Sequence, residues 1–246
     1  MSLKQPTRME ILFEDNHIIA VNKQVSDIVQ GDKTGDETLA DQVKLYIARK
    51  YNKPGAVFLG VVHRIDRPVS GVVLFARTSK ALARLNEMIA KRQIRKTYWA
   101  VVKNRPPADS GTIEHYLVRN TTQNKSYAYD REVTGSQRAI LSYEIAAVGN
   151  GCYYLEIDLQ TGRHHQIRAQ LAKIGCAIKG DLKYGFDSAN RDGGIHLHAR
   201  KIEFIHPVTK ASVAIVAPTP KDPLWDDFTL KAKNRPQSHP ADETVS

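Results

Sequence analysis

Two short apolar runs bracket a charged nonapeptide, and this arrangement constrains the fold more than any other feature of the chain. The first run is Ala56-Val57-Phe58-Leu59-Gly60-Val61-Val62 and the second is Gly71-Val72-Val73-Leu74-Phe75-Ala76. Both are too short for core helices and rich in β-formers, so both read as buried strands. The polar segment between them, His63-Arg64-Ile65-Asp66-Arg67-Pro68-Val69-Ser70-Gly71, is then their connection. Asp66 stands at a strand end between Arg64 and Arg67. Cations on both sides favour the charged form of an acid. A carboxylate kept charged there suits a nucleophile or an electrostatic centre. Taken alone, a turn tied by ion pairs is the simpler reading.

The rest of the chain reads as many short strands with few, separated helices. Strands are expected at 10–13 and 17–21. Asp36 is placed to cap a helix over 37–50, with Leu39, Val43 and Ile47 on one face. Thr78 or Ser79 caps a second helix, whose Leu82, Leu85, Met88 and Ile89 form a core-packing stripe. A strand follows at 96–102. The stretch 104–137 is polar and turn-rich, with one weak strand near 112–117 and an expected mobile loop over 120–126. Further strands are expected at 139–147, 153–159, 196–205 and 211–217. Thr161-Gly162-Arg163-His164-His165-Gln166-Ile167-Arg168 opens a helix with Ile167, Leu171 and Ile174 inward, ending at Gly175. This pattern predicts an α+β fold, with a mixed but mainly antiparallel sheet and flanking helices. One domain is expected over 1–234, with a disordered tail over 235–246.

Charge narrows the partner. The 246 residues carry 36 Lys+Arg against 26 Asp+Glu, a net +10, which favours a polyanion, most simply nucleic acid. Cys152 and Cys176 lie far apart without a CxxC, which fits a cytoplasmic protein and gives no cysteine metal site. The first residues carry no apolar signal region, and no run is long enough to span a membrane. Walker, GxGxxG and GxSxG motifs are absent from the sequence.

Several other residues could carry chemistry. A helix start bearing Arg163, His164 and His165 fits phosphate or carboxylate binding, with Arg163 and the first-turn amides facing the anion. Tyr98 lies in a strand that begins at Lys96, where a lone tyrosine is usually packing. Gly180-Asp181-Leu182-Lys183-Tyr184-Gly185 is a glycine-bracketed loop that could wall a pocket. His196 and His198 share a face if their segment is a strand, but no third ligand follows at a diagnostic spacing.

Taken together, these segments resemble the RluA family of pseudouridine synthases, from Ile11 to about Pro218. The family's H-R-L-D-x-x-T-S-G is matched by His63 to Gly71, and its K-x-Y-x-A by Lys96-Thr97-Tyr98-Trp99-Ala100. Its R-T-G-R-x-H-Q-I-R is matched, all but the first residue, by Gln160 to Arg168. Its G-D-x-x-Y-G is matched by Gly180 to Gly185, and L-H-A by Leu197-His198-Ala199. The early strand pair followed by Asn22-Lys23 belongs to the same pattern.

The resemblance implies a cleft across the middle of the sheet and an isomerase acting on uridine in ribosomal or transfer RNA. Asp66 would attack the target nucleoside. Tyr98 would lie against the flipped uracil, and Arg168, rather than neighbouring Arg67, would pair with Asp66. Arg64 would fill the space the base vacates, and Leu197 would pack on the ring. Arg163, His165 and Tyr184 are expected substrate contacts. Uridine isomerisation breaks one C–N bond and makes one C–C bond at the same ribose, so no cofactor or metal is expected. A monomer without an obligate protein partner is expected.

The sequence departs from the family at Pro68-Val69, at Gln160, and at Asn22-Lys23-Gln24-Val25-Ser26, which lacks N-K-P-x-G. The chain begins almost at the catalytic domain, so the N-terminal RNA-binding module of many relatives is expected to be missing. RNA selection would then fall to loops such as 119–131. The competing readings are a non-catalytic RNA-binding module on the same fold and a metal-dependent hydrolase using His196 and His198.

Overall fold

The computed structural model describes residues 9–31 and 35–234. Among them an eleven-stranded sheet runs through the protein. Its strands are β1 Glu10–Glu14, β2 Ile18–Lys23, β3 Gly60–Val61, β4 Ser70–Ala76, β5 Arg95–Val102 and β6 Ser110–Asn120. They continue with β7 Lys125–Tyr129, β8 Gln137–Gly149, β9 Cys152–Leu159, β10 Leu197–Ile205 and β11 Ser212–Val216. The spatial order is β1-β2-β4-β10-β5-β9-β8-β6-β7, with β11 beside β10 and β3 beside β4. Every pairing is antiparallel except β4 with β10, which meet in parallel at Ser70↔His198 and Gly71↔Ala199. The predicted mixed, mainly antiparallel α+β fold is the one observed.

The first apolar run does not form the strand its composition suggests. Only Gly60–Val61 pairs, against Phe75 and Ala76 of β4, and Phe58 is 47% exposed. The reason lies in β4. One edge of it is taken by β2 along its length, and the other edge is shared between β10 at its start and β3 at its end. In the gap the imidazole of His63 replaces a strand, its Nε2 accepting the Leu74 N–H at 3.1 Å. Burial drives His63 down to about 3, which keeps that nitrogen free to accept.

Four α-helices complete the described fold. α1, Leu39–Lys50, is capped by Thr38 rather than Asp36, in a reciprocal capping box with Asp41. Asp36 instead pairs with Arg67. α2, Ser79–Ala90, is capped by Thr78 and buries Ala81 and Leu85. α3, Gln166–Lys173, is shorter than predicted, because residues 161–165 form a turn before it and His165 stands in the left-handed region at φ 53°. α4, Pro223–Lys233, was not anticipated, although Asp222 followed by Pro223 is a good helix start. It packs Phe228 on Trp99 and Tyr154, with ring centroids 4.2 and 5.0 Å apart. Successive strand residues alternate faces, so Trp99 lies under α4 while Tyr98 faces the opposite side.

The expected loop over 120–126 is the tight end of a β6–β7 hairpin, paired from Tyr116↔Tyr129 to Asn120↔Lys125. Cross-strand pairing supplies the order that an apolar pattern would have signalled. The expected tail over 235–246 lies outside the described residues.

Candidate active site

The Asp66 loop is fastened from below. Val69 N–H donates to the Asp66 carbonyl at 3.0 Å, and Ile65 and Val69 bury their side chains in the core. Lys23, at the end of β2, is fully buried beneath them. Its ammonium donates to the carbonyls of Val69 (2.7 Å), Gln24 (2.9 Å) and Arg67 (3.1 Å). Burial pulls Lys23 down to about 8, which the nearby carboxylates of Asp27 and Asp66 do not fully offset. Val69, where the sequence departs from the motif, is among apolar neighbours.

Gly71 brings the loop's far end against β10. Its φ is +118°, and a Cβ there would lie 2.3 Å from the Ala199 carbonyl oxygen. The next tie is Ser70 Oγ to His198 Nδ1 at 2.8 Å, with His198 Nε2 at 3.1 Å from the Ala217 carbonyl.

Above the loop, the first turn of α3 supplies Arg168. Its Nη1 donates to Asp66 Oδ2 at 3.0 Å. Its Nε and Nη2 donate to Asp181 Oδ2 and Oδ1 at 2.7 and 2.9 Å. Arg168 is 4% exposed and Asp181 1%. Burial works against this charge, yet the carboxylates of Asp181 and Asp66 outweigh it and hold the guanidinium pKa above its usual value. Arg67, the sequence neighbour, turns away to Asp36 at 3.0 Å.

His165 and Tyr184 back this pair. Tyr184 Oη accepts the Ser126 N–H at 2.8 Å and lies 3.0 Å from His165 Nδ1. The Arg168 guanidinium sits 5.0 Å from the Tyr184 ring centroid. His165 Nε2 is 3.6 Å from Asp66 Oδ2. Desolvation first, and then the Arg168 charge, push His165 down to about 2, so its ring is neutral. The sequence reading makes Tyr184 a substrate contact; the structure places it behind His165 and Arg168, away from the cleft lining. Its hydroxyl and ring are consumed in supporting them.

The cleft itself has a volume of about 900 Å³. Tyr98 and Leu197 line it as buried side chains, and Arg64 and Arg163 line it as exposed ones. Desolvation, with the Asp66 charge nearby, raises the Tyr98 phenol and keeps it protonated. Arg163 faces the cleft while its Nε donates to the Arg138 carbonyl. Its amide is taken by Gln166 Oε1 at 3.0 Å, so it does not face an anion as the sequence suggests. The lining holds six Lys and Arg residues against a single carboxylate, Asp66. That balance suits a polyanion threaded past one acid.

In the sequence Asp181 and Lys23 stand out only as parts of motifs. Their work shows only in space, one clasping Arg168 and the other fixing the loop carbonyls. His196 and His198 do not converge on a shared site. His196 bonds Asn190 and Asp222, and His198 bonds Ser70 and Ala217. Among the described residues no group of three or more His, Cys, Asp or Glu is arranged to hold a metal. No described helix is long and apolar enough to cross a membrane.

Comparison with known proteins gives the family. Residues 17–173 match the family model described as RNA pseudouridylate synthase. The chain is 33% identical over 221 residues to the "Uncharacterized RNA pseudouridine synthase YhcT" of Bacillus subtilis, covering 87% of this chain and 70% of that protein. It is 31% identical over 228 residues to the "Ribosomal large subunit pseudouridine synthase D" of Zymomonas mobilis, covering 89% and 71%. Its fold matches that of "Human RNA Pseudouridylate Synthase Domain Containing 4" with a TM-score of 0.73 at 20% identity, covering 91% of this chain and 93% of that one. The chain belongs to the RluA-type RNA pseudouridylate synthase family and is an isomerase of uridine in RNA.

Proposed function

We propose that the chain isomerises particular uridines in structured ribosomal or transfer RNA, with Asp66 as the nucleophile. The observation that carries this reading is the isolation of Asp66. It is the single carboxylate in a cleft lined by six cations, and Arg168 holds it by one hydrogen bond.

The target uridine leaves its stack to enter the cleft, because no side chain reaches it inside a helix. Tyr98 and Leu197 form the apolar floor on which the uracil rests. Asp66 adds to the nucleoside and the C1′–N1 bond breaks. The base turns and C5 bonds to C1′. The C5 proton is then lost, N1 gains a proton, and the Asp66 carboxylate is released. Atoms balance without a redox partner or group donor. Arg168 aims the carboxylate, while Arg64 and Arg163 meet the RNA at the rim. The β6–β7 hairpin, which lines the cleft through Leu117, Arg119 and Ser126, is the element we assign to RNA selection. The working unit is the single chain.

Replacing Asp66 by Asn or Ala tests the mechanism. Pseudouridine formation is expected to vanish while RNA binding persists; an active Asp66→Ala enzyme would overturn it. The names of relatives such as the Zymomonas mobilis protein support large-subunit ribosomal RNA as the first target to examine. Pseudouridine mapping in a deletion strain, across ribosomal and transfer RNA, decides between the two classes.

A further inference from the structure

Six cations line the cleft: Arg64, Arg92, Lys96, Arg119, Arg163 and Arg168. Arg168 is satisfied by Asp66 and Asp181. None of the other five forms an ion pair with a described residue, and four of them are exposed, where water solvates them. Lys96 differs because its side chain is partly withdrawn from solvent. Desolvation lowers its pKa, with no carboxylate offsetting it. It shares the cleft face of β5 with Tyr98, two residues on. Its Nζ lies against the turn before α3. A Cβ at Gly162 would meet only that Nζ, at 3.5 Å. A desolvated ammonium without a counter-ion costs stability, so its retention beside a reaction centre calls for a ligand that supplies the missing charge.

We propose that Lys96 is a phosphate-binding residue, and that the backbone phosphate flanking the flipped uridine sits on the cleft side of its ammonium, beside the Gly162-Arg163 turn. This rests on the RNA-isomerase reading of the same cleft. A phosphate there would register the nucleotide so that its base reaches Tyr98 and Asp66. Gly162 has no side chain to cover the ammonium, and Arg163 lines the cleft at the same turn.

The test compares the full-length wild type with Lys96→Met and Lys96→Arg. Binding of a fluorescein-labelled single-stranded oligouridylate is measured as a function of salt, alongside thermal unfolding and pseudouridine formation. Lys96→Met is expected to bind about tenfold more weakly at low salt. Its slope of log K against log salt should shrink by about 0.7, one phosphate contact, while Lys96→Arg keeps the wild-type slope. The Tm of Lys96→Met should equal or exceed that of the wild type, because an unpaired, partly buried charge has gone. An unchanged salt slope, or a lowered Tm, would overturn the assignment in favour of a base contact or a structural lysine. If the wild type binds RNA but forms no pseudouridine in any RNA, the isomerase reading fails instead, and the assignment falls with it.

Discussion

Arg168 gives two of its three nitrogens to Asp181 and the third to Asp66. The bidentate clasp fixes the plane of the guanidinium, so the remaining N–H points at one oxygen of Asp66. It also neutralises the cation in advance. The trio therefore keeps a net negative charge, and Asp66 is aimed without being quenched by an unshared guanidinium. Replacing Asp181 by Asn removes the charge and half of the fork. Turnover is expected to fall about 100-fold with little change in KM, as a misplaced reacting group does. Breaking a buried pair should also cost about 3–5 kcal/mol of stability. Steady-state kinetics and urea unfolding check both. A variant with wild-type kcat would show that Arg168 needs no clasp.

Tyr98 is buried, and its hydroxyl has no partner among the described residues. Removing the hydroxyl alone should therefore leave the fold intact. Tyr98→Phe is expected to bind RNA as the wild type does, since the stacking face remains. Product formation should fall by about 100-fold if the hydroxyl moves a proton, a usual size for acid–base help. Tyr98→Leu should weaken binding as well, by about 1–3 kcal/mol for a lost stacked base. Equal activity of Phe and Tyr enzymes would confine Tyr98 to stacking.

Acid should destabilise this protein more steeply than its carboxylates alone predict. His198 is fully buried, and desolvation lowers it from 6.5 to about 4 despite the Ala217 carbonyl that favours its charged form. Between those two values the unfolded chain holds the proton and the folded one does not. The stabilisation is thus fully present above about pH 6.5 and is lost as pH falls through about 4. His63 and His165 act in the same direction. Each contributes a slope of up to about 1.4 kcal/mol per pH unit. Urea unfolding near pH 7 and near pH 5 should show His198→Gln with the shallower dependence. Identical slopes for the two proteins would refute the assignment.

Gly71 is irreplaceable on geometric grounds. An added Cβ would collide with the backbone N, C and O of Ala199, at 2.6, 2.8 and 2.3 Å, and the φ of +118° is strained for any other residue. Backbone cannot swing aside as a long side chain can. Gly71→Ala is expected to lose about 3 kcal/mol or more and to shift the Asp66 loop. By contrast Gly151→Ala, also at positive φ but with nothing within 4 Å, should cost about 1 kcal/mol. Paired thermal melts distinguish steric collision from backbone strain.

Much of this molecule was legible in one dimension. The faces of α1 and α2, the strands β2, β4, β5 and β9, and the mainly antiparallel class follow from apolar periodicity, which is local. Asp66, Tyr98 and Arg168 stood out through motif resemblance. Other features resisted for identifiable reasons. Residues 56–62 have the composition of a strand, but β4 offers them only a short free edge, because β10 takes its start and the His63 imidazole its middle. Residues 161–165 resemble a helix start, but Gln166 turns its side chain back to tie the Thr161 hydroxyl and the Arg163 amide. The hairpin end at 120–125 lacks an apolar pattern because none of its residues is buried.

Read alone, the sequence gives the buried faces, the α+β class and the acid of the loop before β4, although the strand expected just before that acid shrinks to Gly60–Val61. The motif resemblance, not the local sequence, points to Arg168 as the partner of that acid, and the folded chain adds Asp181, which aims the guanidinium. Asp66 has Arg67 beside it in sequence, yet its partner is Arg168, 102 residues away, while Arg67 serves Asp36. A charge is stabilised by what surrounds it in three dimensions, within a few ångströms. Periodicity reports only whether a residue is inside, whereas the partner it finds there depends on how β4, β10 and α3 meet.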